Sequence, residues 1–564
     1  MFELLPPFLV FLAGALILPL IPNGHPRSFF SLLVPIASAY LIWTMPEGLH
    51  GQVSLAGWDI TLLRVDKLST IFGLIFSLAA FLSLLYAWHV RDTVQQTASL
   101  LYAGAAIGAV FAGDLISLFI FWEGTAITSV FLIWARRTEG AYHTGMRYLV
   151  VQVGSGVILL AGVVLQYLDT GSIAFEAMTL GTPATIAIFL AFGIKCAFPL
   201  LHNWLQDAYP AATVTGTVVL SAFTTKLAIY ALARGFPGTE LLIYIGATMT
   251  LFPIFYAVIE NDLRRVLAYS LNNQLGFMVV GVGIGTPMAL NGTAAHAFAH
   301  ILYKALLFMS IGAVLFRTGT AKGSELGGLY KTMPLTMIFC VVGAASISAF
   351  PLFSGFVTKS LILSASVNQG HYIVWGILLF ASAGVFHHSG IKIPYFAFFA
   401  HDSGLRPKEA PWNMLLAMGL TAFFCIAIGV YPEPLYQLLP YDVDYVPYTT
   451  THVITQLQLL FFSALAFTIL MRTGIYPSEM KSVNLDFDWT YRKLAPALVG
   501  ACRHLINVVW GGLLAGTVKQ LTRGFDKLQN AHGVEGILAR TWPTGSMVLW
   551  IAVLLGVTLL ITYI

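Results

Sequence analysis

Long apolar runs recur along this chain from one end to the other, and that repetition limits the fold more than any single motif. A run of about 17–25 apolar residues is the length of helix that crosses the hydrocarbon core of a bilayer. Such runs lie at 4–21, 29–45, 67–88, 97–112, 114–134, 147–167, 184–207, 213–234, 241–260, 265–285, 290–316, 334–366, 372–399, 412–439, 452–472 and 545–564. Only 10% of the 564 residues are charged and 58% are hydrophobic, against about 25% charged in a soluble protein. The expected fold is therefore an all-α polytopic membrane protein with about sixteen transmembrane helices. The run at the start lacks a basic flank and is followed by more spans, so it is read as the first helix and not a cleaved signal.

Two of the runs carry breaks. Pro199 interrupts the seventh, and the twelfth is too long for one pass and contains Phe350-Pro351-Leu352-Phe353-Ser354-Gly355. Two discontinuous helices five helices apart point to an internal duplication, and such pairs mark ion paths in transporters. The chain accordingly divides into N-terminal helices at 1–96, a first repeat at 97–234 and a second at 241–399. Core helices follow at 412–472, then an amphipathic helix at 485–540 and a final anchor at 545–564. In the amphipathic stretch Leu505, Val508, Val509, Leu513 and Leu514 stand against Lys519, Arg523 and Lys527, a pattern that suits a helix lying along a membrane or a neighbouring subunit.

Loops after odd-numbered spans hold Arg27, Arg91, Arg136, Arg137, Arg147, Arg264, Arg265, Arg317, Lys322, Lys331, Arg406 and Lys408. Loops after even-numbered spans hold only Arg64, Lys67 and Arg234. The asymmetry predicts that odd-side loops and the amphipathic helix are cytoplasmic and that the N-terminus faces outward.

The cations left inside spans are all lysine: Lys195, Lys226, Lys304, Lys359 and Lys392. Lysine can lose its proton when desolvated, whereas arginine effectively cannot, so an all-lysine set suits proton transfer. Insertion scales put a central lysine at about 2.5–3.5 kcal/mol, a cost that argues against vestigial packing cations in a scaffold. Glu123 is the carboxylate well inside a span, and its expected partner is Lys195. The rival reading is a static ion pair that fixes helix packing. His296, His300 and Lys304 recur at i, i+4 and i+8 on one helix face. They fit a hydrated relay better than a metal site, because Lys304 would repel a cation. Lys359 follows the second break as the counterpart of Lys195. His387, His388 and Lys392 form a further group toward one surface. Asp207 lies at the end of the seventh span, where capping explains it as well as catalysis does.

Four separate cysteines and the lack of a CxxC, a phosphate-binding G-x-x-x-x-G-K-[ST] loop or a dinucleotide fingerprint predict no cofactor and no metal in this chain. The driving energy is then an ion gradient or a partner.

Several stretches, in this order, resemble the antiporter-like membrane subunits shared by Mrp-type cation/proton antiporters, respiratory complex I and membrane-bound hydrogenases. They are FWE at Glu123, FGIK with PLLHNWLQDAYPAA around Lys195, LSAFTTK at Lys226, NDLRRVLAYSLNNQLGF at 261–277, HAFAHILYKALLF at His296, His300 and Lys304, and FPLFSGFVTKSLIL at Lys359. Length and the DAYPAATVTGTV stretch are most similar to a long form of the D subunit of Mrp antiporters. Gln206 replaces the proline usual in that motif, and Lys392 stands where relatives are expected to carry arginine. The resemblance implies two inverted five-helix repeats in a fourteen-helix core, with a lateral arm. It also implies a midplane chain running from Glu123 and Lys195 through Lys226, His296, His300 and Lys304 to Lys359. The implied function is proton translocation in a multi-subunit sodium/proton antiporter of a bacterial or archaeal cytoplasmic membrane, with other membrane subunits, H+ and a monovalent cation as partners. The same relay would serve a redox-driven pump or a proton-coupled uptake system. A carrier that works alone is a further alternative.

Overall fold

In the computed structural model the described residues are 5–55, 57–477, 479–480, 484, 486–537, 540 and 543–563. The chain forms two compact units, Met1–Asn484 and Leu485–Ile564.

The first unit is a helical bundle with one hairpin. It opens with α1 (Pro7–Ile17), α2 (His25–Thr44), the antiparallel strands β1 (Gly48–Leu55) and β2 (Trp58–Val65), and α3 (Lys67–Tyr86). The first repeat follows as α4 (Thr93–Phe111), α5 (Leu115–Trp134), α6 (Glu139–Thr170), α7 (Pro183–Cys196), α8 (Asn203–Ala211), α9 (Val214–Ala222) and α10 (Thr224–Gly235). The second comprises α11 (Leu241–Ile259), α12 (Leu263–Ile284), α13 (Pro287–Thr318), α14 (Pro334–Ile347), α15 (Ser354–Asn368), α16 (Tyr372–Val385) and the single turn α17 (Lys392–Pro394), the last flanked by π-helical turns. The helices α18 (Trp412–Val430), α19 (Glu433–Tyr436) and α20 (Thr450–Thr473) close the unit.

Among the described residues thirteen helices are long and apolar enough to cross a membrane, and Pro7–Leu20, Pro183–Cys196 and Pro334–Ile347 are shorter apolar helices. The seventh and twelfth spans are discontinuous as expected. Three features depart from the sequence reading. The eighth span is also broken, at Phe223. The segment between the second and third spans is a hairpin, consistent with the β-branched and apolar residues in its second strand. Arg27, Lys67, Arg147, Arg234, Arg264, Arg265 and Arg317 lie within helices, most of them in a terminal turn, and not in loops.

The duplication is written in the backbone. Asp114 caps α5 through the Ser117 N–H, and Asp262 caps α12 through the N–H groups of Arg264 and Arg265. Beside the first cap, Leu115 N donates to Ile173 O at 2.8 Å and Phe175 N to Gly113 O at 3.1 Å. Beside the second, Leu263 N donates to Ala321 O at 2.9 Å and Gly323 N to Asn261 O at 2.9 Å. Both broken spans read Ala-Phe-Pro-Leu at the break, and the Ala and Leu of each take left-handed backbone: Ala197 (φ 62) and Leu200 (φ 70), then Ala349 (φ 56) and Leu352 (φ 74). A left-handed conformation is costly for a residue with a Cβ, so the same costly turn kept at both breaks marks a shared design. Five spans separate the two repeat starts. An odd number reverses direction, which makes the repeats inverted.

Most buried apolar residues form one large cluster with two smaller ones, and the inner helices are the most deeply buried. α10 is buried along its whole length, as is nearly all of α12 and most of α13. α12 carries Asn272, Asn273 and Gln274 in its middle, all fully buried. The second unit carries α21 (Ala495–His532), preceded by a π-helical turn, and α22 (Thr544–Tyr563), none of whose described residues is buried. At 1.5 Å per residue, 38 residues make α21 roughly 57 Å long.

Candidate proton path

Lys195 stands in the last turn of α7, where the carbonyl end of the helix dipole favours a cation. It is fully buried. Its Nζ donates to the backbone carbonyl of Trp122 at 2.5 Å and to Thr125 Oγ1 at 2.8 Å, and it lies 4.5 Å from the centre of the Trp122 ring. Trp122 is held in turn: its indole N–H donates to Ser155 Oγ at 3.0 Å, and that hydroxyl donates to Ala191 O at 2.8 Å. α5, α6 and α7 are thus tied together around the lysine.

The expected Glu123–Lys195 ion pair is not formed. Glu123 follows Trp122 on α5, half-buried, and its Oε1 is buried without a hydrogen-bond partner. The carboxylate lies against Gly156 of α6, where an added Cβ would collide with Oε1. Gly156 supplies the space that Glu123 occupies.

Lys226, in the first turn of α10, is fully buried, and its Nζ donates to Ser221 O at 2.5 Å across the break at Phe223. Thr224 N donates to Tyr102 OH at 3.0 Å, so a tyrosine of α4 satisfies part of the helix start the break exposes. α9 packs along α13, and α10 touches both α12 and α13. On α13, Lys304 Nζ and both ring nitrogens of His300 are buried with no partner. His296 is tied into a cluster: its ring nitrogens lie 3.2 Å from Thr358 Oγ1 and 3.2 Å from Gln274 Oε1, and Tyr303 OH donates to the same Gln274 oxygen at 3.1 Å. Thr358 is the neighbour of Lys359. Lys359 is buried, with its Nζ 3.1 Å from Ile347 O, the last carbonyl of α14, and 4.9 Å from the Phe277 ring centre.

Lys359 is not the positional counterpart of Lys195. Lys195 precedes its break on α7, whereas Lys359 follows its break on α15. Counted from the shared Ala-Phe-Pro-Leu turn, Ile347 takes the place of Lys195 and Asp207 that of Lys359. Asp207 is not a helix cap. It lies in an ion pair with Arg147, whose Nη2 is 2.8 Å from Asp207 Oδ2.

Lys392 differs from the other four lysines because it has a carboxylate. Its Nζ lies 2.9 Å from Glu479 Oε1 and donates to Val258 O and Glu260 O at 2.7 Å each, closing the carbonyl end of α11. His388 Nδ1 lies 2.9 Å from Ser389 Oγ, while His387 stacks on Tyr476 with ring centres 5.4 Å apart. Sequence reasoning misses Glu479 because it lies in an irregular segment after α20 and no local pattern connects it to Lys392. Arginine is buried as well: Arg264 is 2% exposed and donates to the Tyr209 and Ala212 carbonyls at the end of α8, at 3.1 and 3.0 Å.

No cluster of His, Cys, Asp and Glu suited to a metal ion occurs among the described residues. Lys195, Lys226, Lys304 and Lys359 form no ion pair among those residues. Unpaired buried ammonium groups are strongly disfavoured, so these sites call for water or for the neutral amine. The buried Gln152, Gln206 and Asn272 side chains also lack protein partners, and buried polar groups in that state are ordinarily satisfied by water.

Residues 112–386, which include every group above from Asp114 to Val385, match the family model described as NADH:quinone oxidoreductase/Mrp antiporter, TM. The chain is 28% identical over 434 residues to the D subunit of the Na(+)/H(+) antiporter of Alkalihalophilus pseudofirmus, covering 71% of this chain and 87% of that one. It is 30% identical over 355 residues to the N subunit of the NADH-quinone oxidoreductase of Desulforudis audaxviator, covering 58% of this chain and 70% of that one. A chain in the structure of the membrane-bound sulfane sulfur reductase, an archaeal respiratory membrane complex, shares the fold with a TM-score of 0.72 at 20% identity, covering 98% of this chain and 99% of that one. The protein belongs to the NADH:quinone oxidoreductase/Mrp antiporter transmembrane family.

Proposed function

We propose that this chain is the proton-translocating subunit of a multi-subunit monovalent cation/proton antiporter. The observation that carries the reading is the set of four fully or almost fully buried lysines, three of them at helix breaks and Lys304 in the middle of α13, each without a carboxylate partner among the described residues. A structural cation needs its counter-charge, whereas a group that alternates between ammonium and amine needs acceptors for the one state and water for both. Carbonyls at helix ends supply the acceptors for Lys226 and Lys359; a mid-helix carbonyl and a threonine hydroxyl supply them for Lys195. Protons would move between Glu123, Lys195, Lys226, His300, Lys304, His296 and Lys359, with water filling the gaps. The Na(+)/H(+) antiporter relative supports antiport, and sodium is the cation expected from its name. The membrane would be a bacterial or archaeal cytoplasmic membrane, with the N-terminus outside and α21 on the cytoplasmic side.

The test is Lys195→Ala and Glu123→Ala in the assembled complex, read as cation-dependent proton movement in everted membrane vesicles. Both variants are expected to assemble and to lose that movement. Wild-type antiport by both would refute the reading. The NADH-quinone oxidoreductase relative and the fold shared with a respiratory complex support a second reading, the same relay driven by a redox partner. Co-purified small antiporter subunits argue for the first and iron–sulfur subunits for the second.

A further inference from the structure

Each repeat ends on a buried cation tied to a carboxylate that comes from outside the repeat. In the first, Arg234 at the end of α10 holds Asp66, the N-cap of α3, at 2.8 Å, and Arg234 Nε donates to Tyr230 OH, which in turn bonds Val110 O at the end of α4. In the second, Lys392 holds Glu479 and bonds the last carbonyls of α11 directly. Each cation thus closes the first helix of its own repeat. The 19 residues of α11 separate the two pairs, roughly 28 Å at 1.5 Å per residue, which places them toward opposite membrane faces.

The pairs differ chemically. Arginine remains charged at any accessible pH, so Arg234–Asp66 is a fixed clasp. Lysine and glutamate can exchange a proton. We propose that Glu479 is the proton-exchange residue at the mouth of the second repeat, passing protons between the aqueous phase and Lys392; this rests on the proton-translocation reading above. In the outward step the Lys392 ammonium gives up an Nζ–H bond and Glu479 gains an O–H bond, leaving two neutral groups. The carboxylic acid then loses its proton to water. The inward step is the reverse.

Three observations support the assignment. The Glu479 side chain is 5% exposed, although the segment that carries it lies at the surface, with Ile475, Pro477 and Met480 exposed. Its surroundings bias it toward exchange: burial pushes its carboxyl above the ordinary range, the Lys392 ammonium pulls it back, and the Glu260 carboxylate raises it further. The other ionisable groups nearby are Arg265, 3.8 Å from Glu260, with Tyr476 and His387 stacked together. Inward of Lys392, one turn back along the same helix, His388 is fully buried with its Nε2 unpartnered, a station between the inner lysines and the mouth. Lys392 and Glu479 both fall outside the matched residues 112–386.

The test uses the assembled complex in vesicles, with Glu479→Gln, Glu479→Asp and Glu479→His beside Lys195→Ala. Glu479→Gln is expected to assemble and lower proton movement at least about 10²-fold, the low end of what a positioned acid–base group contributes. Glu479→Asp should keep most of the flux, and Glu479→His part of it with a shifted pH profile, because both retain a titratable group. Glu479→Gln moving protons at the wild-type rate and pH profile while Lys195→Ala is inactive would overturn this proposal alone. Equal loss in all three Glu479 variants would also overturn it, showing a structural latch. A fully active Lys195→Ala would overturn the relay reading itself.

Discussion

Lys195 bonds the backbone carbonyl of Trp122, not the carboxylate of Glu123 one residue further on. Lys195 on α7 and Glu123 on α5 are therefore neighbours across a helix contact without being joined. A lysine held on a neutral carbonyl and a threonine hydroxyl can change charge without breaking an ion pair, and a half-buried carboxylate beside it can take up or release the proton.

Glu123 depends on the absence of a side chain at Gly156. In Gly156→Ala the new methyl would coincide with the carboxylate oxygen, so the carboxylate must move. Displacements of about 1 Å at a reacting group can cost roughly 10²-fold, and overpacking costs about 1–3 kcal/mol. The expected result is a folded, assembled complex with antiport lowered toward that of Glu123→Ala, measured in the same vesicles.

Lys195→Met separates stability from transport. Methionine fills nearly the same space and removes a buried unpaired charge, and replacing buried ionic groups by apolar ones of similar volume is often neutral or stabilising by about 1–4 kcal/mol. The variant is expected to unfold at the wild-type temperature or above it while proton movement is lost. Thermal unfolding of the purified complex checks the first half and vesicle assays the second.

Asp66 gives a pH dependence of known sign. Burial would raise its carboxyl, but Arg234, the Ser69 N–H and Arg64 together hold it below the ordinary aspartate value. A group lowered on folding contributes stability above its unfolded pKa, about 3.9, and loses it as pH falls through the folded value. Asp66→Asn is thus expected to unfold at a lower temperature than the wild type at pH 7. The gap should close as the pH falls below about 4.

Much of the fold and of the path is legible in the sequence, and the exceptions have physical reasons. Apolar run length gives the spans, and prolines in two over-long or lysine-bearing runs give two breaks. The eighth-span break lacks a proline: Phe223 bends the chain through backbone dihedrals alone, which composition does not register. The repeat shows in the sequence chiefly as helix spacing, yet its most direct trace, Ala-Phe-Pro-Leu at 197–200 and 349–352, stands there too. Four residues carry little weight when the flanking residues diverge and the lysines lie on opposite sides of the two turns. Lys392 can be seen as a buried cation. Its partner cannot, since Glu479 reaches it by tertiary folding of an irregular segment. The hairpin at Gly48–Leu55 and Trp58–Val65 is masked because its short alternation sits between two much stronger apolar signals.

In the proposed relay the buried lysines work by losing and regaining a proton. Lys195→Arg probes this at its core, because it keeps the positive charge and the donors but cannot titrate. Proton flux into liposomes bearing the purified complex is expected to fall to the level of Lys195→Ala, with assembly unchanged. A Lys195→Arg complex that moves protons at the wild-type rate would show that Lys195 acts by its charge and not by titration.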